Sequence, residues 1–251
     1  AGKYATLSRT AALSRQLSIF FKYYIRSILK NGEYHIDGEK KLTERNATIV
    51  YSGGDDVFIV GAWNEVIELS IDLQEKFKKY TQGTLSISSG IGIYECTYPI
   101  GAIANETGEM EAESKRMPEK DSVTLMDDGE THLINELEIC DGTYRWEELY
   151  KSVLGEKYDV IQDFLGESDE RGMSFLYRML ELIRNQKEKI NFARFVYLLS
   201  RLEPDKEGEK KEKYRKFSRK MYQWVQSEKD CRELKTAINL YAYMHREKGA
   251  H

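Results

Sequence analysis

The sequence predicts an α+β layer in its first half and an all-α domain in its second. Three observations carry this. Residues 85–93 alternate large apolar with small residues, the period of a strand. Leu13, Leu17, Phe20, Tyr24 and Ile28 recur every three or four residues, the period of a helix, and Val66, Ile67, Leu69, Leu73 and Phe77 do the same. After about Asp127 the strand signal fades and helical spacing takes over.

In chain order, the first helix has Thr6 or Ser8 to cap its start and Gly32 just past its end. Asn31 to Arg45 is polar with two glycines and predicts a surface loop. Ala47 to Tyr51 and Val57 to Val60 are short apolar runs on either side of Ser52-Gly53-Gly54-Asp55-Asp56, which predicts a β-hairpin. Trp63 to Tyr80 predicts a second helix. In the strand that follows, Leu85, Ile87, Ile91 and Ile93 face one way, and Ser86, Ser88, Gly90 and Gly92 face the other. Pro99 to Met117 predicts a helix weakened by Gly108, and Ser122 to Met126 a short strand. Helices over Tyr144–Leu154, Tyr158–Phe164, Phe175–Glu188, Phe192–Leu202, Lys210–Gln226 and Cys231–His245 complete the chain, with Pro204 ending one of them. The domain boundary is expected near Asp128 to Asp141, giving domains 1–128 and 129–251. Helix, hairpin, helix, strand, helix, strand is the order of a ferredoxin-like palm, except that such a palm opens with a strand before its first long helix, and no such strand is found here.

The bulk composition excludes several classes. A formal charge of −4 over 251 residues does not indicate a strongly basic nucleic-acid binder, although a local basic face is compatible with it. Cys96, Cys140 and Cys231 lie far apart with no CxxC pair, which argues against zinc and for reduced thiols in a cytoplasmic protein. No apolar run approaches the roughly 20 residues of a membrane span. The chain opens on Ala1, already in a helical pattern, so a piece of something larger is expected.

Gly53-Gly54-Asp55-Asp56 is the sharpest chemical signal. Two glycines permit a tight turn with positive φ and let a phosphate group approach backbone N–H groups. Two adjacent acids supply hard oxygen ligands of the kind magnesium prefers. Two such metals can activate an attacking hydroxyl and stabilise a leaving pyrophosphate. The competing reading is a merely polar turn, since turns favour these same residues. The apolar strands on both flanks favour a palm hairpin.

Tyr51-Ser52-Gly53-Gly54-Asp55-Asp56-Val57-Phe58-Ile59-Val60-Gly61, followed by Trp63, resembles the cyclase palm of the large subunit of type III CRISPR effector complexes, most closely the Csm (III-A) type. Leu13-Ser14-Arg15-Gln16-Leu17-Ser18 with Phe20-Phe21, Leu85 to Ile91, Tyr98-Pro99-Ile100 and Lys120 to Leu125 resemble its neighbouring palm elements, and the helical tail resembles its C-terminal domain. The resemblance implies a metal-dependent nucleotidyltransferase that converts ATP to cyclic oligoadenylate when its complex holds target RNA. It implies that Asp55 and Asp56 bind Mg²⁺ or Mn²⁺ and that Ser52, Gly53 and Gly54 lie against ATP. It also makes Lys115 a candidate for the triphosphate, against the plainer reading of a solvated surface lysine. As partners it implies other subunits of a type III ribonucleoprotein, including small helical subunits, and through them guide and target RNA. The family pattern also includes a strand with a further metal-binding Asp before the first helix, a His-Asp nuclease domain, a first palm and a cysteine zinc site. None of these is matched, so the chain by itself is expected to lack one metal ligand and any nuclease chemistry. The four histidines, His35, His132, His245 and His251, form no adjacent His-Asp pair. A diguanylate-cyclase-like enzyme and a non-catalytic scaffold fragment are the alternatives. Against the first, the fourth residue of the motif is Asp56 where that class has Glu.

Ser88, Ser89 and Gly90 sit on or beside the small-residue face of the predicted strand. That face is either room for an adenine or, the reading preferred here, close helix–sheet packing. Tyr214, Phe217, Met221 and Trp224 make a helical stripe that predicts core. The basic run from Lys206 to Lys220 is interleaved with Glu207, Glu209 and Glu212 and predicts a solvated face more than an RNA contact.

Overall fold

The computed structural model describes residues 6–39, 41–54, 56–127, 129–166, 171–184 and 189–246. The chain divides into two compact units, Ala1–Trp146 and Glu147–His251. The boundary expected at 128 therefore falls inside the first unit.

The first unit begins with α1 (Leu7–Ile19), capped by Thr6, whose side chain accepts from the Arg9 N–H. A π-helical segment, Phe20–Tyr24, joins α1 to α2 (Ile25–Lys30). A π turn adds one residue to the repeat. The expected stripe therefore changes face at this point. Phe20, Phe21, Ile25 and Ile28 are buried, whereas Leu13 and Tyr24 remain about half exposed. Strands β1 (Ala47–Gly53) and β2 (Asp56–Gly61) form an antiparallel hairpin. Helix α3 (Trp63–Tyr80) runs as predicted. Leu69, Leu73 and Phe77 on α3 close a core with Phe20, Phe21, Ile25 and Ile28, and Ile49, Val57 and Ile59 of the hairpin pack against it.

Strand β3 (Ser89–Ile91) is shorter than the alternation over 85–93 predicts. It pairs in parallel with β4 (Ser122–Leu125). Between them in sequence, α4 (Ile100–Lys115) starts after Pro99 and packs on β3 and β4. The strand signal does not end at Asp127. Three further short strands follow: β5 (Thr131–Ile134), β6 (Leu137–Cys140) and β7 (Thr143–Arg145). β5 and β6 form a hairpin, and β7 adds to β4 to give the order β3-β4-β7. The β5–β6 turn places Asn135 and Glu136 at φ 49° and 68°. A left-handed Glu carries no turn signature in sequence, which is why this hairpin was not predicted. Tyr144 lies in β7 rather than in a helix, and α5 (Trp146–Glu148) begins two residues later.

The loop predicted over 31–45 is held down by buried charge. The Arg45 guanidinium is paired with Glu68, sits 2.9 Å from Asp72 and also donates to the Tyr34 carbonyl. Asp72 accepts from the Glu33 and Tyr34 N–H groups at 3.0 and 2.9 Å, and Glu68 accepts from Ile36 at 2.9 Å. Ile36 is buried. Two carboxylates on α3 thus satisfy backbone donors that a short connection would otherwise bury unpaired.

In the second unit, a π-helical segment (Leu149–Tyr158) continues into α6 (Asp159–Leu165), so Gly155 does not break the helix. Then come α7 (Arg171–Arg184), α8 (Lys189–Ser200), α9 (Glu209–Trp224) and α10 (Glu228–Arg246). Tyr214, Phe217, Met221 and Trp224 are buried, as their spacing predicts. Lys157 is buried as well, 2.8 Å from Asp230 and 2.5 Å from Glu233, with its ammonium 5.1 Å from the centre of the Trp224 ring. On α9, most of the basic residues are paired with acids: Lys211 and Arg215 with Glu207, Lys213 with Glu209, Lys216 with Asp163, and Lys220 with Glu156.

Candidate functional site

The hairpin is built so that its turn is minimal. Gly53 pairs with Asp56, leaving Gly54 and Asp55 as a two-residue connection. Gly54 has φ 68°, the left-handed region that two-residue hairpin turns require. Asp55 lies outside the described residues. Asp56 is exposed at the first position of β2. The register shifts between Ile49 and Tyr51, a bulge at Val50 that re-aims the end of β1.

The residues around the turn are already engaged. The Ser52 hydroxyl donates to the Phe21 carbonyl at 2.7 Å and so ties the hairpin to the π-helical segment. What Ser52 can offer a ligand is therefore its backbone rather than its hydroxyl. Tyr51 is 57% exposed, and its phenol lies over Gly53, where a Cβ would meet the Tyr51 Oη at 2.3 Å. Gly53 thus leaves space that an aromatic ring occupies beside the turn. At Gly54 nothing lies within 4 Å of an added Cβ, so that side of the turn is open.

The donor set at this turn is one exposed carboxylate, Asp56, with Asp55 its chain neighbour. No group of three or more His, Cys, Asp or Glu suited to a metal occurs among the described residues. Magnesium usually takes one or two protein carboxylates and completes its shell with water and phosphate. Adjacent acids on an open turn fit that demand as a partial ligand set.

The small-residue face is filled from within the chain. A Cβ at Gly90 would meet the Thr107 carbonyl oxygen at 2.3 Å and the Glu111 nitrogen at 2.6 Å, so α4 lies directly on the strand. Ser114 on α4 donates to the Ser89 carbonyl at 2.7 Å and is 2.8 Å from the Thr124 hydroxyl. Ser88 donates to the Lys120 carbonyl at 2.5 Å. At Gly92 the Tyr94 ring takes the space, and Tyr94 stacks on Tyr98 at 5.2 Å. Burial pushes the Tyr94 phenol up to about 12. The room read as an adenine site at Gly90 is therefore helix–strand packing. Lys115 ends α4, half exposed, 2.8 Å from Glu111.

Two features escaped sequence reasoning. One is the Arg45–Glu68–Asp72 network, whose carboxylates lie 23 and 27 residues from the arginine. The other is His132, 3.2 Å from Asp141 across the β5–β6 hairpin. Neither separation has a local signature. His251 lies outside the described residues.

Residues 1–124 match the family described as Cas10/Cmr2, second palm domain. Residues 162–247 match the second helical domain of the Cmr2 subunit of a CRISPR RNA silencing complex. The chain is 41% identical over 248 residues to a CRISPR system single-strand-specific deoxyribonuclease Cas10/Csm1 (subtype III-A) of Mycobacterium tuberculosis, which covers 98% of this chain and 29% of that protein. Among solved structures it resembles a Csm1–Csm4 cassette in complex with pppApApA. That match has TM-score 0.66 and 25% identity, over 94% of this chain and 34% of the other. A Csm1–Csm4 cassette in complex with AMPPNP gives TM-score 0.61 and 26% identity, over 92% and 33%.

Proposed function

This chain belongs to the Cas10/Csm1 family of type III-A CRISPR large subunits, as a palm followed by a helical domain, and on that premise we propose that it is the ATP-using palm of a cyclic oligoadenylate synthase. The observation that carries the reading is the open two-residue turn at Gly54, with Asp56 exposed beside it on a family-matched palm. The relatives solved with AMPPNP and with pppApApA support ATP as substrate and a linear oligoadenylate as intermediate.

In this proposal the 3′ hydroxyl of one adenosine attacks the α-phosphate of the next ATP. A phosphodiester bond forms, the bond to pyrophosphate breaks, and the hydroxyl proton passes to water. Asp55 and Asp56 would hold Mg²⁺ or Mn²⁺, which when bound lowers the cost of ionising the hydroxyl and of the charge on pyrophosphate. Backbone N–H groups at Ser52, Gly53 and Gly54 would meet the phosphates, because the glycines leave the approach clear. Lys115, once released from Glu111, would complement the triphosphate charge. Ser88 and Ser89 would act indirectly, by fixing the strand that α4 covers. A Csm4-like subunit, small helical subunits, and guide and target RNA are the proposed partners, the first supported by the cassettes of the relatives.

The test is turnover of radiolabelled ATP with Mn²⁺ in the assembled complex holding target RNA. Native chain should give cyclic products, and Asp55→Ala/Asp56→Ala should give none. If the two are equally silent while the complex binds its RNA, the hairpin is structural and the scaffold reading replaces this one.

A further inference from the structure

The first 32 residues hold six Lys or Arg and no Asp or Glu, in a chain whose net charge is −4. Part of this charge is exposed and unmatched. Arg15, Lys22, Arg26 and Lys30 are all exposed. None of the four has an ion-pair or hydrogen-bond partner for its side chain among the described residues. On α9, by contrast, most of the basic run is paired: Lys211 and Arg215 with Glu207, Lys213 with Glu209, Lys216 with Asp163 and Lys220 with Glu156. Lys22, Arg26 and Lys30 are spaced four residues apart and so lie near one another along the outside of the segment, with about 6 Å along the axis between Arg26 and Lys30 within α2.

Aromatic surface accompanies the charge. Tyr23 is 71% exposed and Tyr24 51% exposed, between Lys22 and Arg26 in sequence. Beside them a cleft of about 380 Å³ is lined by Tyr24, Ser27, Asn31, Lys76 and Tyr80 among others. Its one acid, Glu33, is already bound to Lys76 at 2.5 Å. Uncompensated cations interleaved with exposed ring faces are what single-stranded nucleic acid uses: phosphates along the charges, bases on the rings. An acidic protein surface would need the charges but not the exposed tyrosines.

We propose that the outer face of the π-helical segment and α2, with Lys22, Arg26 and Lys30 as its cations and Tyr23 beside them, binds the phosphodiester backbone of a single-stranded nucleic acid. This goes beyond the cyclase reading and does not depend on it. It uses none of the residues placed at the hairpin turn.

The test titrates a fluorescein-labelled oligouridylate of roughly 12 nucleotides by anisotropy between about 50 and 200 mM salt, with poly-L-glutamate as competitor. Native protein is compared with Lys22→Gln/Arg26→Gln/Lys30→Gln, whose melting temperature should be unchanged because all three side chains are exposed. Three single-strand phosphate contacts at about 0.7 each make the log–log salt slope about 2 smaller in the variant. Over that fourfold salt range the native protein should thus lose about 20-fold more affinity than the variant does. Tyr23→Ala should weaken binding without changing the slope. A Lys210→Gln/Arg219→Gln variant on α9 should behave as native. Equal slopes in native and triple variant, or no binding by the native protein, would overturn the proposal. Displacement of the oligonucleotide by poly-L-glutamate at equal or lower charge concentration would also overturn it, in favour of an acidic protein partner.

Discussion

Replacing Gly90 by alanine tests the packing of the first unit more sharply than any other single change. The new methyl would start 2.3 Å from the Thr107 carbonyl oxygen and 2.6 Å from the Glu111 nitrogen, both backbone atoms of α4. Comfortable contact needs about 3.5 Å, so α4 must retreat by roughly 1 Å. Overpacking of this kind costs about 1–3 kcal/mol, and backbone on the far side of the clash places Gly90→Ala near the top of that range. The retreat also loosens the Ser114 hydrogen bonds to Ser89 and Thr124. The loss should be about 3 kcal/mol. At about 2–4 °C per kcal/mol, melting followed by circular dichroism should fall by roughly 6–12 °C. Gly108→Ala is the matched control. It lies in the same helix with nothing within 4 Å of the added carbon, and should gain up to about 1 kcal/mol from helix propensity. If Gly90→Ala melts with the native protein, α4 does not rest on β3 as described. If it melts normally but weakens ATP binding, the face is ligand space and the packing assignment is wrong.

Three further outcomes follow from buried charge. Arg45→Met strands Glu68 and Asp72 in the interior and should cost about 3–5 kcal/mol in urea unfolding; Arg45→Lys should recover only part, since one ammonium cannot reach both carboxylates and the Tyr34 carbonyl. Lys157→Met leaves Glu233 without its closest cation and should destabilise the second unit by a similar amount, read from the same curves. Burial pushes the Tyr241 phenol up to about 12, above the roughly 10 of an unfolded chain. Its contribution is therefore complete below pH 10 and is lost as pH rises through 12, by up to about 2–3 kcal/mol. Tyr241→Phe should flatten that part of the alkaline stability profile, and an unchanged profile would count against the burial.

Much of the fold was legible because it rests on short-range periodicity. Trp63–Tyr80 was found at both ends, since its apolar spacing is uninterrupted and its neighbours break the pattern. The hairpin was legible because Gly-Gly sits between two β-branched runs. Three things were not legible. A π turn leaves no mark in composition, so Leu13 to Ile28 was read as one stripe of a single long helix, whereas the extra residue leaves Leu13 and Tyr24 about half exposed. The β5–β6 turn uses Glu136 where glycine would have announced it. The polar segment 31–45 was read only as a surface loop because its anchors are carboxylates on α3, more than 30 residues on. At the candidate site, the turn itself was legible; that the Ser52 hydroxyl is committed to Phe21, and that α4 fills the face at Gly90, depends on contacts between distant segments.

The π-helical segment sets a phase. Upstream of it no residue of α1 is buried, and downstream Ile25 and Ile28 are buried within α2. Deleting one residue between Phe20 and Tyr24 would restore an ordinary helix and turn everything before it by about 100° relative to the core. Leu13, Arg15 and the rest of α1 would then present a different side, and the carbonyl that receives Ser52 would leave its place under the hairpin. At this point in the chain the number of residues matters more than their identity: a conservative substitution leaves the two helical halves in step, whereas a loss or gain of one residue puts them out of step and reaches the turn carrying Asp56.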